Sequence, residues 1–228
     1  MIPPKEETVM ARVVITGANR GIGLELARQL KGRGDEVVAL CRNASPELRE
    51  VGVRVIENVD VTKKDALEMV SRELGDAEID VLINNAGIML DEPLHDLDFD
   101  GIRKQFETNT LGPLLVTSVL RDHLRSGSKL ILMTSRMGSI GDNGSGGYYG
   151  YRMSKAALNM AGVNLAHDLR SERIAVAVLH PGMVATRMTG NHGVPVEEAV
   201  DGLVSRIDEL TLETSGGFWH ANGERLPW

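Results

Sequence analysis

A chain of 228 residues fits one compact domain or two small ones, and a single domain of that size buries about 70% of its unfolded surface without disulfide staples. Its 25 Lys and Arg against 32 Asp and Glu leave a net charge of −7, so no global field draws it to nucleic acid or to an acidic membrane. With 42% hydrophobic residues the composition argues against a disordered polymer, and the single Cys41 rules out an intrachain disulfide framework or a multi-cysteine metal knuckle.

Residues Met1–Val13 read as a short polar lead into a strand rather than a signal-type segment. No apolar run approaches the roughly 20 residues that cross a bilayer. A soluble, cytoplasmic protein without membrane or nucleic-acid partners is expected. Ala11–Thr16 is apolar and β-branched and predicts the first strand, broken by Gly17-Ala18-Asn19-Arg20-Gly21-Ile22-Gly23. Helical spacing follows from Ile22 to Lys31, with Ile22, Leu26, Ala27 and Leu30 on one face. Glu36–Cys41 and Val53–Glu57 predict strands, and Thr62-Lys63-Lys64-Asp65 is expected to cap the next helix. Ile79–Ile83 is a fourth strand, ended by Asn84-Asn85-Ala86-Gly87. Phe99–Leu124 predicts a helical stretch bent at Gly112-Pro113.

Lys129–Met133 and Ile174–Leu179 read as strands on either side of a helix over Tyr151–Leu169. Pro195–Leu210 is a helix with proline near its first turn, and Gly216–Trp219 a last strand. Alternating strands and helices with nearly continuous apolar strands predict an α/β fold: a mostly parallel, doubly wound sheet covered by helices on both faces. No composition break divides residues 1–228, so one domain is expected. Gly138–Gly150 holds six glycines in thirteen residues and reads as a ligand-facing loop.

Chemistry concentrates at two places. The octad Thr16–Gly23 follows a strand and opens a helix, where glycines permit a tight turn and free amides face an anion. It lacks the Gly-Lys-Ser/Thr ending of a phosphate-binding P-loop. Tyr151 and Lys155 lie four residues apart on a helix, on one face, where an ammonium favours the phenolate and the phenol can pass a proton to an alkoxide. Of the three neighbouring tyrosines, only Tyr151 meets a lysine at this spacing; Tyr148 and Tyr149 are expected to line or support the mouth of the site. Six histidines include no His-Glu-x-x-His, and no Gly-x-Ser-x-Gly is present, so metal and serine hydrolases fit poorly and no metal is expected.

The octad, Asn84-Asn85-Ala86-Gly87 and Tyr151-Arg152-Met153-Ser154-Lys155 resemble, in order and over nearly the whole chain, the signatures of the short-chain dehydrogenase/reductase family. The Gly216-to-Trp228 ending resembles its carbonyl-reductase or C-factor-like branch. The resemblance implies a single Rossmann domain and reduction of a carbonyl to an alcohol by NADPH, reversible in principle. It implies cofactor contacts from Gly17, Asn19, Arg20, Gly21, Ile22 and Gly23, then from Asp60 and Val61 near the adenine. Asn85, Ala86 and Gly87 would position cofactor and sheet. Pro181, Gly182, Val184 and Thr186 would place the nicotinamide end.

Cys41 stands where NAD-dependent members carry a carboxylate. Arg42 beside it and Arg20 can fork onto the extra phosphate of NADP, so NADP(H) is the expected cofactor. The family's catalytic set falls on Asn109, Ser135, Tyr151 and Lys155. Ser139 remains the alternative to Ser135, whose 16-residue separation from Tyr151 exceeds the usual family spacing. The stretch 187–194 would form only a short substrate-side loop. A homodimer or homotetramer is implied, through the helices bearing Asn109 and Tyr151. A module that senses NADP(H) with little turnover is the alternative function.

Overall fold

Hydrophobic runs become strands wherever both faces can be covered. The computed structural model describes residues 10–228; for residues 1–9 the expected polar lead lies outside the described residues. Seven strands form one sheet: β1 (Arg12–Thr16), β2 (Glu36–Leu40), β3 (Arg54–Ile56), β4 (Ile79–Asn84), β5 (Leu124–Met133), β6 (Ala175–His180) and β7 (Gly217–His220). Their spatial order is β3-β2-β1-β4-β5-β6-β7. All six strand pairings are parallel, as expected of a mostly parallel sheet, and an isolated antiparallel bridge joins Trp219 to Arg225.

Side chains alternate across the sheet, and this sorts the core into two layers. Val14, Leu82, Leu130 and Val176 point to one face. There they meet Leu67 of α3 (Lys64–Leu74), Val116 of α5 (Gly112–Leu120) and Leu158 of α6 (Tyr149–Asp168). Ile15, Ile83, Ile131 and Ala177 point to the other. Their partners are Leu26 of α1 (Gly21–Arg33), Leu48 of α2 (Pro46–Val51) and Leu203 of α7 (Val196–Asp208). Because β1 pairs with β2 on one side and β4 on the other, the connections diverge at its carboxyl end and open a crevice.

Several local expectations change. Thr62 does not cap α3: the N-cap is Lys63, without a side-chain hydrogen bond, and Thr62 turns back to Asp60. The short α2 was not expected, although Ser45 accepts from Leu48 N at 3.1 Å and Pro46 opens the helix. β5 begins at Leu124 rather than Lys129, because Leu124 pairs with Ile79 ahead of a register shift. Ser128 tethers this polar lead, donating to Ile79 O at 2.6 Å. The long helical stretch divides into α4 (Phe99–Phe106), a π-helical turn (Glu107–Leu111), α5 and a 3-10 turn (Arg121–His123). Pro113 has no N–H, so the α-helical bond to the Asn109 carbonyl four residues back cannot form. The widened turn absorbs this, with Gly112 N donating to Glu107 O.

Candidate active site

At the β1–α1 turn, glycine is required for two different reasons. Gly17 has φ +68, and a Cβ there would stand 2.9 Å from Ala86 Cα; a Cβ on Gly23 would stand 2.5 Å from Asn85 Nδ2. These two glycines let the β1 and β4 ends close on one another. Gly21, at φ +54, instead faces Thr186, whose Cγ2 would be 3.5 Å from an added Cβ. Polar bonds lock the same closure. Thr16 Oγ1 accepts from Asn85 N at 3.0 Å and Ala86 N at 3.1 Å, and Asn85 Nδ2 donates to Thr16 O at 3.0 Å. α1 begins at the extended Arg20 with no side-chain cap and no acidic residue in its first turn. Its leading N–H groups therefore present a positive end, suited to an anion.

Around that end, Arg20 and Arg42 are exposed, while Cys41 is buried within the sheet–helix core. Burial pushes the Cys41 thiol up, so it offers no negative charge to a ligand. Asp60 takes both the N–H of Thr62 (2.9 Å) and its hydroxyl (2.8 Å) on one oxygen. Burial works to raise the Asp60 carboxyl, but these bonds and the nearby Arg42 and Lys63 hold it below its ordinary value. Val61 is buried against Gly112.

The reaction end lies at the carboxyl edges of β5 and β6. Tyr151 is 8% exposed and Lys155 4%. Lys155 Nζ sits 5.8 Å from the Tyr151 ring centre and donates to Met133 O at 2.7 Å. Burial lowers the ammonium to about 8. Burial also raises the phenol, and the Ser135 side chain beside it pulls the other way. Ser135 Oγ lies beside the phenol and also accepts from Met137 N at 3.2 Å in its own turn, while Ser139 Oγ accepts from Asp142 N at 3.0 Å.

Asn109 is fully buried in the π-helical turn. Its Oδ1 accepts from Ile88 N at 2.8 Å, and its Nδ2 donates to Ser154 Oγ at 3.0 Å. Gly87 lies between Asn109 and Lys155, since a Cβ there would be 3.3 Å from Asn109 Oδ1 and 3.6 Å from Lys155 Nζ. After β6, Pro181 and Gly182 (φ +88) lead to buried Val184, which bridges to Val194. Between them Thr186 caps a 3-10 turn over Arg187–Thr189, so the short substrate-side loop closes on itself. His180 is pushed down to about 3 by burial and by neighbouring His220 and Arg136.

The structure thus brings together Asn85, Ala86 and Gly87 with the octad, and Asn109, Ser135 and Tyr151 with Lys155. Tyr148 and Tyr149 are half-buried ahead of Tyr151, with Tyr148 left-handed at φ +50. Sequence reasoning missed Thr134 and Asn159, both buried and joined by a 2.6 Å bond. Asn159 also reaches Gly138 O at 3.3 Å, tying the Ser135 turn to α6. Trp228 stacks on Phe218 at 5.3 Å and its carbonyl accepts from Gly141 N at 2.8 Å, so it also holds the glycine-rich loop.

Residues 11–195 match the family profile described as short chain dehydrogenase. The chain belongs to the short chain dehydrogenase family. A 1-hydroxy-2-glutathionyl-2-methyl-3-butene dehydrogenase from Rhodococcus sp. (strain AD45) is 43% identical over 226 residues, 96% of this chain and 100% of that protein. The C-signal of Myxococcus xanthus is 46% identical over 154 residues, 66% of this chain and 93% of that protein. Among solved structures, an NADPH-bound carbonyl reductase from chicken fatty liver superposes with a TM-score of 0.88 at 30% identity, covering 96% of this chain and 99% of that one. A carbonyl reductase from Pseudomonas aeruginosa PAO1 in complex with NADP gives 0.83 at 30% identity, covering 96% and 100%. Among the described residues, no helix of this short chain dehydrogenase is long and apolar enough to cross a membrane.

Proposed function

We propose that this short chain dehydrogenase reduces a small-molecule carbonyl to an alcohol with NADPH, reversibly. The observation that carries the reading is the buried Ser135–Tyr151–Lys155 cluster at the same carboxyl edge of the sheet as the glycine turn. The uncapped α1 start fits a pyrophosphate held by the backbone of Gly17, Asn19, Gly21, Ile22 and Gly23. Arg20 and Arg42 would hold the extra phosphate, and Asp60 and Val61 the adenine end. Asn85, Ala86 and Gly87 would support the cofactor's middle, and Pro181, Gly182, Val184 and Thr186 its amide. Bound there, NADPH supplies the hydride.

Ser135 holds the carbonyl oxygen and Tyr151 gives it a proton as negative charge develops. Lys155 stabilises the resulting phenolate and, with Tyr151, holds the ribose. Asn109 spends its side-chain amide on Ile88 and Ser154, and its carbonyl has lost a helical donor to Pro113. It is therefore suited to connecting Lys155 with solvent for proton return. Exposed Leu111, Met153 and Met160 on the helices bearing these groups fit packing against a second copy, as a homodimer or homotetramer. A single buried cysteine suits a reducing cytoplasm.

Turnover with NADPH and NADH over chemically varied ketones, aldehydes and quinones tests the proposal. Carbonyl-dependent oxidation of NADPH, preferred over NADH, is expected. The likeness to a protein named C-signal motivates the second reading, a cofactor-binding module. Saturable NADPH binding without turnover across that panel would favour it.

A further inference from the structure

We infer that Glu92 is a positioning residue for Tyr151, acting as the cap of α6 from a distant part of the chain. The inference rests on the reading of Tyr151 as proton donor. Glu92 lies in the connection between β4 and α4, flanked by exposed Asp91 and Pro93, yet it is 1% exposed itself. A carboxylate taken out of water needs donors, because an unsatisfied charge in the interior is strongly unfavourable. Its donors here are uncharged. Gln105 Nε2 of α4 donates to Oε1, and the N–H of Gly150 donates to Oε2 at 3.2 Å. Gln105 is fully buried, and its Oε1 accepts from Leu90 N at 2.9 Å, closing the network back onto the β4–α4 connection.

The helix needs such help. α6 has no side-chain cap of its own, and Gly146, Gly147 and Tyr148 ahead of it are all left-handed, at φ +64, +68 and +50. Segment 141–147 is exposed throughout. Beyond Gly141, which Trp228 holds, Gly146 is bonded only to Asn143 and Arg152 of the same stretch, whereas Gly150 is tied to a distant part of the chain by Glu92. A Cβ on Gly150 would run into Gln105 Nε2 and stand 3.0 Å from Glu92 Oε1, so glycine permits the close approach. A carboxylate on the first turn also complements the positive end of the helix.

The test exchanges the two side chains. Glu92→Gln sets an amide N–H against another donor, either Gln105 Nε2 or Gly150 N–H. Adding Gln105→Glu restores every donor–acceptor pair with the charge moved to position 105. Turnover is read per NADPH-binding site, counted from bound-NADPH fluorescence, using the best carbonyl of the panel. Glu92→Gln is expected to lose about tenfold in kcat, with Kd for NADPH within about twofold, and the double variant to return within about threefold of the parent.

Parental kcat in Glu92→Gln, Kd rising in step with the loss of kcat, or a folded double variant that recovers nothing would each overturn the inference. If Glu92→Gln does not fold, the double variant is set against Gln105→Glu alone, in which two carboxylates face each other. Recovery in the pair supports the inference, and equal impairment overturns it. Tyr151→Phe tests the underlying reading separately. Turnover that survives there removes Tyr151 as donor, whatever the Glu92 variants do.

Discussion

At the β1–α1 turn the groups that would meet a ligand stand in solvent: Arg20 and Arg42 are exposed, and the leading amides of α1 have no side-chain cap. At the β5–α6 end the corresponding groups are buried and already bonded, Lys155 to Met133 O and Asn109 to Ile88 and Ser154. The first end is shaped by backbone closure and leaves its charges adjustable. The second is organised before any ligand arrives, and it carries a buried amine that opposes folding. Changes at the first should therefore alter affinity, and changes at the second should alter rate and stability.

The largest expected effect is at the second end. Tyr151→Phe should lower kcat by at least about 10²–10³, the scale for losing a donor aimed at a developing oxyanion. Steady-state NADPH oxidation measures it, and a small loss would remove the contrast. Lys155→Met sharpens it from the stability side. Lys155 titrates at about 8 in the fold against its ordinary 10.5, so the charged form is disfavoured on folding. That penalty is fully present below pH 8 and fades as pH rises from 8 to 10.5, where the unfolded chain binds the extra proton. Lys155→Met should therefore abolish turnover yet raise stability at pH 7 by about 2–4 kcal/mol, and erase that alkaline rise in denaturant titrations.

Effects at the first end should be smaller. Arg42→Ala and Arg20→Ala should each raise KM for NADPH about tenfold with kcat little changed and NADH scarcely affected, since a charge-assisted bond contributes about 1.5–3 kcal/mol. Equal losses with both coenzymes would break the assignment of these arginines. Gly21→Ala should cost only about 1 kcal/mol in thermal melts, because its φ of +54 is strained for alanine while Thr186 leaves ordinary contact distance.

What could be read beforehand follows from how local each signal is. The glycine turn, Asn85-Ala86-Gly87 and the Tyr151–Lys155 spacing are written in consecutive residues, and the strands in apolar runs. The polar lead of β5 carried no apolar pattern, because Arg125 to Ser128 lie in the register shift between Leu124 and Lys129, and Arg125 N bonds to Ser128 Oγ within the segment. The π-helical turn was half legible: Pro113 announced a break, but its position at Asn109 depends on the carbonyl four residues earlier. The Thr134–Asn159 and Glu92–Gln105–Gly150 bonds join residues 25 and 13 to 58 positions apart and leave no periodic trace. Proposing Ser135 rather than Ser139 likewise draws on the fold, since both follow β5 closely.

The strand order has a consequence for how the chain is made. Up to β4 the sheet must grow both outward and inward, with β4 joining β1 on the side away from β2. From β4 to β7 each newly synthesised strand simply extends the free margin left by its predecessor. On a translating ribosome, where earlier segments organise first, the glycine turn and the Asn85-Ala86-Gly87 segment it closes on can be in place while the helix bearing the phenol is still unmade. Assembly then proceeds in one direction, and the half that carries Tyr151 is laid against a template that already exists.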